Sequence, residues 1–299
     1  MTAVADLINS TRTDYLDTGT RTILNALNGA LTDSATSVTL LRDPAQVATN
    51  SRLSVDFEDM HVWQQTGSTV EVERGMNGTT ATSHSAGALI YVNPNFSAGQ
   101  ILRAMNDVLG EISSTEPGLF QVKTVTIPYA TSTTSYDLTD VTDNVIRIDN
   151  VRYEIIGSQK EWPLVKSFDF ARDMPTADFP SGFAFIPKRA PGLQSGARMR
   201  ITYMCPYGEL AGTSTSTVEA QTGIFTEATR ILKVGAALNL TAGLEIRRAD
   251  VTAHADGRRA QDVQGGDPTR ASRNMERLMA RWLSEERGRL MAQYPMRRY

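Results

Sequence analysis

The sequence predicts an α+β protein with a small N-terminal antiparallel β module, a helical bundle core interrupted by a second β domain, and a C-terminal amphipathic helix. Short β-prone runs separated by turn residues fill residues 19–95 and 119–212. Apolar residues recur at helical spacing between and after those stretches. With 299 residues, the chain is long enough for two or three folded modules.

The first 18 residues predict a short N-terminal helix, because Val4, Leu7, Ile8 and Leu16 lie at loosely helical spacing. Residues 19–95 then predict the β module. Its strand-like runs are expected at residues 37–41, 53–57, 60–63, 69–73 and 89–92. The dipeptides between these runs, such as Asn77-Gly78, provide the positive φ angles that tight turns require.

A helix is expected to begin at Ser97, because Gln100 follows three residues later and the two side chains form a capping box. One apolar stripe runs along this helix and comprises Ile101, Leu102, Met105, Val108, Leu109 and Ile112. Residues 96–118 and 213–249 are predicted to form the helical bundle core. The second helix of that core should be long, with a capping box at Ser216 and Glu219.

Residues 119–212 predict an inserted β domain. Strands are expected at residues 122–127, 135–138, 145–151, 153–156, 183–186 and 199–204. The proline-rich stretch 163–191 is interpreted as a long ordered loop. Residues 250–299 predict a mobile connector, rich in glycine and proline up to residue 269, followed by an arginine-rich helix that ends near Pro295 and a short extended arm.

Charge is distributed unevenly along the chain, although the overall net charge is only −3. Residues 1–120 carry a net charge of −7, and residues 245–299 carry +4 with 12 arginines and no lysine. These arginines are either the solvated face of an amphipathic helix or a surface that docks an acidic partner through planar guanidinium groups. Sequence-specific DNA reading is disfavoured, because no groove-reading motif occurs.

The sequence indicates no catalytic, cofactor or metal site. His61, His84 and His254 lie in different segments, and no nucleophile, nucleotide-binding or zinc motif occurs. The single cysteine, Cys205, is predicted to be a buried thiol. The acidic run at residues 56–59 is interpreted as a solvated strand edge rather than a cation site or a carboxylate dyad. No apolar run is long enough to span a membrane and no secretory signal occurs, which predicts folding in a reducing cytoplasm.

One segment carries a motif. Residues 72–88 read VERGMNGTTATSHSAGA, which resembles the Val-x-Arg-Gly-x-x-Gly-Thr-x-Ala-x-x-His-x-x-Gly signature of small β modules in tailed-phage structural proteins. The matching residues include Arg74, Gly75, Gly78, Thr79, His84 and Gly87. We interpret the segment as a strand, a tight glycine turn, a polar crossover in which His84 caps a loop, and a returning strand.

The order of elements also resembles the head-to-tail adaptors of tailed phages, which are virion neck proteins. That resemblance implies a homo-oligomeric ring of about 12 copies beneath the portal, assembled in the host cytoplasm, that extends the DNA channel and contacts a tail or stopper protein. It further implies that the C-terminal arm binds the portal protein, through Arg273, Arg277, Arg281, Trp282, Arg287, Arg289, Arg297, Arg298 and Tyr299.

Asp107 and Glu111 would face the channel, because negative charges let double-stranded DNA slide past without specific binding. The N-terminal β module departs from shortened adaptors, which lack it. A tail-fibre, collar or receptor-binding protein therefore remains the alternative, with an enzyme a distant third. Neither the internal repeats nor the long coiled coil typical of fibres is found in the sequence.

Overall fold

A computed structural model of the chain describes residues 2–16, 23–42, 44–114, 118–138, 141, 144–156, 161–188, 193–212, 217–254 and 267–294. Helices and antiparallel sheets hold similar shares of the chain, so the predicted mixed α+β class is confirmed. The chain divides into two compact units. The first comprises Met1–Glu111 with Gly208–Glu285, and the second comprises Ile112–Tyr207 with Glu286–Tyr299.

The first unit contains a six-stranded antiparallel sheet in the order β1-β6-β3-β4-β5-β2. Its strands are β1 Ile23–Ala26, β2 Ser37–Thr39, β3 Arg52–Val55, β4 Glu58–Thr66, β5 Thr69–Met76 and β6 Leu89–Val92. The two outer strands meet at a bridge between Leu27 and Leu40, where the Leu41 amide also donates to the Ala26 carbonyl at 2.8 Å. The sheet thereby closes into a barrel at this bridge.

The barrel interior follows from the alternation of apolar and polar residues along its strands. In β5, for example, Val70 and Val72 are buried while Glu71 and Glu73 are exposed. The interior cluster comprises Leu27, Leu31, Val38, Leu40, Val47, Leu53, Val55, Met60, Val62, Val70, Val72, Ile90 and Val92. β1 was not among the predicted strands, and the other five overlap the predicted runs.

Helices α1 Val4–Thr11, α2 Ala98–Ser114, α3 Val218–Thr222, α4 Thr229–His254 and α5 Asp267–Gln293 complete the helical elements. The capping box of α2 is confirmed: the Ser97 amide donates to Gln100 Oε1 at 2.9 Å, and the Gln100 amide donates to Ser97 Oγ at 3.2 Å. α2 and α4 approach closely at Gly235, where an added Cβ would lie 2.7 Å from Val108 Cγ2.

The second unit contains two three-stranded antiparallel sheets, in the orders β7-β12-β9 and β10-β11-β8. The strands are β7 Gln121–Pro128, β8 Tyr136–Asp137, β9 Arg147–Tyr153, β10 Phe168–Ala171, β11 Ala184–Pro187 and β12 Arg198–Cys205. Their shared core includes Val151, Phe185 and Ile201, each of which is fully buried. Cys205 is also fully buried, as predicted.

Three sequence-based boundaries were wrong. Strand β10 lies inside the stretch predicted as a loop, and Tyr153 ends β9 instead of beginning a separate strand. The long helix does not begin near residue 217, because Gly223 adopts a left-handed conformation with φ 72° and ends α3. The cap of α3 is Thr217, whose side chain accepts from the Ala220 amide at 3.3 Å. The predicted cap at Ser216 lies outside the described residues.

The terminal segments also differ in extent from the prediction. α1 ends at Thr11 and continues as a π-helical turn, Arg12–Leu16. The predicted connector is shorter than expected, because residues 250–254 belong to α4 and residues 267–269 belong to α5. The rest of the connector and the arm at 295–299 lie outside the described residues. α5 ends at Gln293, close to the predicted end near Pro295.

Candidate functional site

The motif residues converge on a buried carboxylate, Glu58, at the start of β4. Arg74 on the neighbouring strand β5 donates from Nε to Glu58 Oε1 at 2.6 Å and from Nη2 to Oε2 at 2.7 Å. The Glu58 side chain has no exposed surface, and that of Arg74 is 7% exposed. This bidentate pair joins β4 to β5 with the geometry in which a guanidinium and a carboxylate bind each other most strongly.

The remaining donors of Arg74 bind backbone carbonyls in two loops. Nη1 donates to the carbonyls of Thr32 and Ala35, both at 2.8 Å, and Nη2 also donates to the Thr82 carbonyl at 2.6 Å. One side chain therefore holds the loop before β2, the start of β4 and the polar crossover after β5. A lysine at this position has three donors on one atom and cannot reach all of these acceptors.

His84 lies between two carboxylates. Its Nδ1 is 2.8 Å from Asp56 Oδ2 and its Nε2 is 2.9 Å from Glu58 Oε2, while its side chain is only 1% exposed. Burial alone lowers the pKa of His84, but the hydrogen bonds and charges of Asp56 and Glu58 outweigh it and raise the pKa to about 9. At neutral pH the imidazole is therefore protonated and donates from both nitrogens.

Glu58 is held in its ionised form. Burial raises its pKa, but hydrogen bonds from Arg74, His84 and the amides of Thr82 and Gly75 outweigh that effect and lower the pKa to about 2. We call Asp56, Glu58, Arg74 and His84 the ionic cluster. Because neither nitrogen of His84 is free to accept a proton, His84 is not placed to act as a general base.

The tight turn of the motif places these groups. Gly75 has φ 65°, and an added Cβ there would lie 3.2 Å from the Thr79 carbonyl oxygen, so only glycine fits without strain. Gly78 also has a positive φ, and Thr79 Oγ1 donates to the Met76 carbonyl at 2.8 Å. The Gly87 amide donates to the Leu27 carbonyl at 2.9 Å and so fastens the end of the crossover to the barrel.

The interpretation of residues 56–59 as a solvated strand edge was wrong. Glu58 and Asp59 are buried at 1% and 0% exposure, and β4 is paired on both sides, so these residues do not lie at an edge. His84 does more than cap a loop, because it bridges two carboxylates that lie 26 and 28 residues earlier. Sequence reasoning missed Asp56 and Glu58 as partners of the motif, since no local pattern links positions so far apart.

A surface cleft of about 460 Å³ lies beside the ionic cluster. Its walls include Asp56, Phe57, Thr80, Ser83 and Arg103. Arg103 uses Nη2 to donate to the Asn77 carbonyl at 2.9 Å. The cleft thus combines hydroxyl groups, a carboxylate, a guanidinium and one aromatic ring, which is a lining that suits a polar neutral ligand.

The sequence-predicted channel and portal residues occupy two separate helices. Asp107 and Glu111 are exposed on α2, one turn apart. On α5, Arg273, Arg277 and Arg281 are exposed, while Trp282, Arg287 and Arg289 are half-buried. Arg297, Arg298 and Tyr299 lie outside the described residues.

The part of α5 that belongs to the first unit packs on α4. Arg230 on α4 lies over the Trp282 ring with its guanidinium carbon 5.1 Å from the ring centroid, and its Nη2 donates to Glu285 at 3.0 Å. The Met279 methyl group lies close to Gly235. Arg281 also pairs with Glu285, at 2.8 Å. Part of the predicted portal-binding set therefore has contacts within its own chain.

Among the described residues, no group of three or more histidine, cysteine or acidic side chains is arranged to hold a metal ion. None of the helices in that part of the chain is both long and apolar enough to cross a membrane. No protein-family model matches the chain, and no curated protein matches it.

Proposed function

We propose that this chain is a non-enzymatic structural protein of a tailed-phage virion, a head-to-tail adaptor that forms a ring beneath the portal. In this role the ring joins the DNA-filled head to the tail and lengthens the DNA channel. Its partners are further copies of the chain, the portal protein and a tail or stopper protein.

The observation that carries this proposal is that Arg74 and His84 are fully engaged by groups of their own barrel. The motif residues with reactive side chains, Arg74 and His84, bind groups of their own barrel at both ends of the polar crossover. Such a cluster fixes the path of a loop, because the donors of Arg74 and both nitrogens of His84 are engaged within the barrel. A rigid barrel built in this way suits a mechanical part of a particle.

The order of elements supports the adaptor over other virion proteins. Helices α2 and α4, in one compact unit, are separated in sequence by the β unit of residues 112–207. The exposed face of α2 carries Asp107 and Glu111, and a wall of negative charge allows DNA to pass without binding. Both features are expected of a subunit that lines a channel with helices and directs its β domains elsewhere.

Portal attachment is assigned most economically to the C-terminal residues Arg297, Arg298 and Tyr299. A deletion of residues 268–299 would also remove Met279 and Trp282, which pack on α4, and would therefore destabilise the first unit. The sharper variant is Arg297→Glu/Arg298→Glu, which reverses two charges and leaves α5 intact.

The test mixes the purified chain with purified portal rings and examines the mixture by sedimentation and negative-stain microscopy. We expect wild-type chains to add a ring to one face of the portal and the Arg297→Glu/Arg298→Glu variant to lose most of this binding. Glu161→Lys/Asp178→Lys, which changes exposed charges elsewhere, serves as the control and should bind normally. A chain that forms trimers and ignores the portal would contradict the adaptor assignment and favour a fibre.

The cleft beside the ionic cluster favours a second candidate, a receptor-binding virion protein that binds a surface glycan. Sugar hydroxyls both donate and accept, as the hydroxyls of Thr80 and Ser83 do, and an apolar sugar face can pack on Phe57. Saturation-transfer NMR with host surface polysaccharide tests this role, with Ser83→Trp as the variant that fills the cleft. Absence of signal for the wild type would reject it.

A further inference from the structure

Two of the three tryptophans in the chain hold an arginine in the same way. In the second unit, Arg198 lies over Trp162 at 5.8 Å from the ring centroid and donates to both oxygens of Glu154, at 2.7 and 2.9 Å. In the first unit, Arg230 lies over Trp282 and pairs with Glu285. In each site the face of the guanidinium lies on an aromatic ring, and its edge donates hydrogen bonds to a carboxylate.

The site around the third tryptophan, Trp63, contains the aromatic ring and the carboxylates of the other two sites but lacks the arginine. Trp63 lies on the outer face of β4 and is 58% exposed, with its ring edge-on to His61 at 5.2 Å. The neighbouring strand β5 presents Glu71 and Glu73 on the same outer face, where Glu73 is the register partner of His61. We call Trp63, Glu71 and Glu73 the Trp63 face.

No cation in the described part of the chain pairs with the carboxylates of this face. Neither Glu71 nor Glu73 has an ion-pair partner among the described residues. Arg52 on β3 faces His61 across the β3–β4 register, but its guanidinium donates to the Pro94 carbonyl. Tryptophan is enriched among the residues that dominate binding at interfaces, and here two carboxylates of the neighbouring strand lie on the same face as its exposed ring.

The same chain carries arginines that match the Trp63 face. Arg273 and Arg277 on α5 are exposed and have no ion-pair partner among the described residues. Four residues of helix separate them by about 6 Å along the axis. Glu71 and Glu73, two residues apart on a strand, are separated by about 6.7 Å. The two pairs therefore have nearly equal spacing and opposite charge.

We propose that the Trp63 face binds Arg273 and Arg277 of a second copy of this chain. One guanidinium would lie on the Trp63 ring and both would pair with the two glutamates. The contact joins two different surfaces. Every copy can therefore bind one neighbour through its Trp63 face and another through its two arginines. Such a heterologous contact generates a closed ring when the rotation between copies divides the circle. This inference rests on the proposed function, because it names one surface through which the ring forms.

The test uses charge reversal and exchange in the full chain, followed by sedimentation at low salt over a range of concentrations. We expect the wild type to self-associate and Glu71→Lys/Glu73→Lys to weaken association at least about tenfold. Arg273→Glu/Arg277→Glu should weaken it to the same extent. Mixing the two reversed variants should restore association, because each surface then meets a partner of opposite charge. Glu161→Lys/Asp178→Lys should associate like the wild type.

Trp63→Phe adds a second measurement that distinguishes the ring stacking from charge alone. We expect association to weaken by a smaller factor than in the charge-reversed variants, because phenylalanine binds a guanidinium less strongly than tryptophan. A wild type that stays monomeric, or a mixture of reversed variants that fails to associate, overturns the inference. Portal docking by the same proteins reports separately on the proposed function, since it depends on residues 297–299.

Discussion

Replacing His84 by glutamine removes the positive charge from the centre of the ionic cluster and retains only a neutral donor. The wild-type histidine is buried between Asp56 and Glu58, and its pKa is raised from 6.5 to about 9. A pKa shift of that size corresponds to about 3 kcal/mol of interaction free energy that favours the protonated histidine in the folded state. We therefore expect His84→Gln to lower the free energy of unfolding of the first unit by about 3 kcal/mol at pH 6.

The pH dependence is the specific part of this prediction. Because the folded-state pKa of His84 is raised, its contribution is fully present below pH 6.5 and is lost as pH rises through 9. The wild-type unfolding free energy should therefore fall by about 3 kcal/mol between pH 6 and pH 9.5. The His84→Gln variant should lose little over that interval, so the two stabilities converge at alkaline pH.

Urea unfolding at several pH values provides the assay, with Trp63 fluorescence as a reporter located in the barrel. Trp162→Phe/Trp282→Phe is the common background, so that only the barrel contributes to the signal. His61→Gln is the matched control, since it removes a histidine that has no ion-pair partner in the described ranges and should keep the wild-type slope. The reasoning is refuted if wild type and His84→Gln show parallel stability profiles from pH 6 to pH 9.5.

Three further predictions concern the contact between α2 and α4, Arg74 and Glu58. Gly235→Ala should destabilise the first unit by about 1–2 kcal/mol in thermal unfolding, because its methyl group overlaps a valine on α2, whereas Gly110→Ala, which meets open space, should stabilise α2 by about 0.5–1 kcal/mol. Arg74→Lys should cost about 2–4 kcal/mol by denaturant titration and Arg42→Lys, on an exposed residue, almost nothing. As pH falls from 4.5 through 2, protonation of Glu58 should remove stability that is fully present above pH 4.5, and Glu58→Gln should lack this acid-dependent loss in the same titration.

The elements that could be predicted from the sequence are those whose signals are local. The capping box at Ser97 and Gln100 lies within one helical turn of the apolar stripe of α2. Both features were predicted correctly. The barrel strands followed from alternation over a few residues, as in β5. The burial of Cys205 was expected of a lone thiol in the Met204–Cys205–Pro206 run.

The features that escaped prediction depend on residues far apart in sequence. Glu58 resembles a solvated acid until Arg74, 16 residues later, and His84, 26 residues later, supply its hydrogen bonds. The closure of the barrel at Leu27 and Leu40 depends on β1, which is short and carries a buried asparagine, Asn25. Local propensity assigns neither burial nor pairing to such positions, since long-range contacts decide both.

The ionic cluster and the Trp63 face lie on the same two strands. Glu58 begins β4 and Arg74 lies near the end of β5, and their ion pair joins the strands that carry Trp63 and the two outward glutamates. A partner arginine then meets carboxylates and a ring whose positions are already fixed, so little conformational entropy is lost on binding. If the proposed self-association uses the Trp63 face, loosening the cluster should therefore weaken it without any change to the outer face.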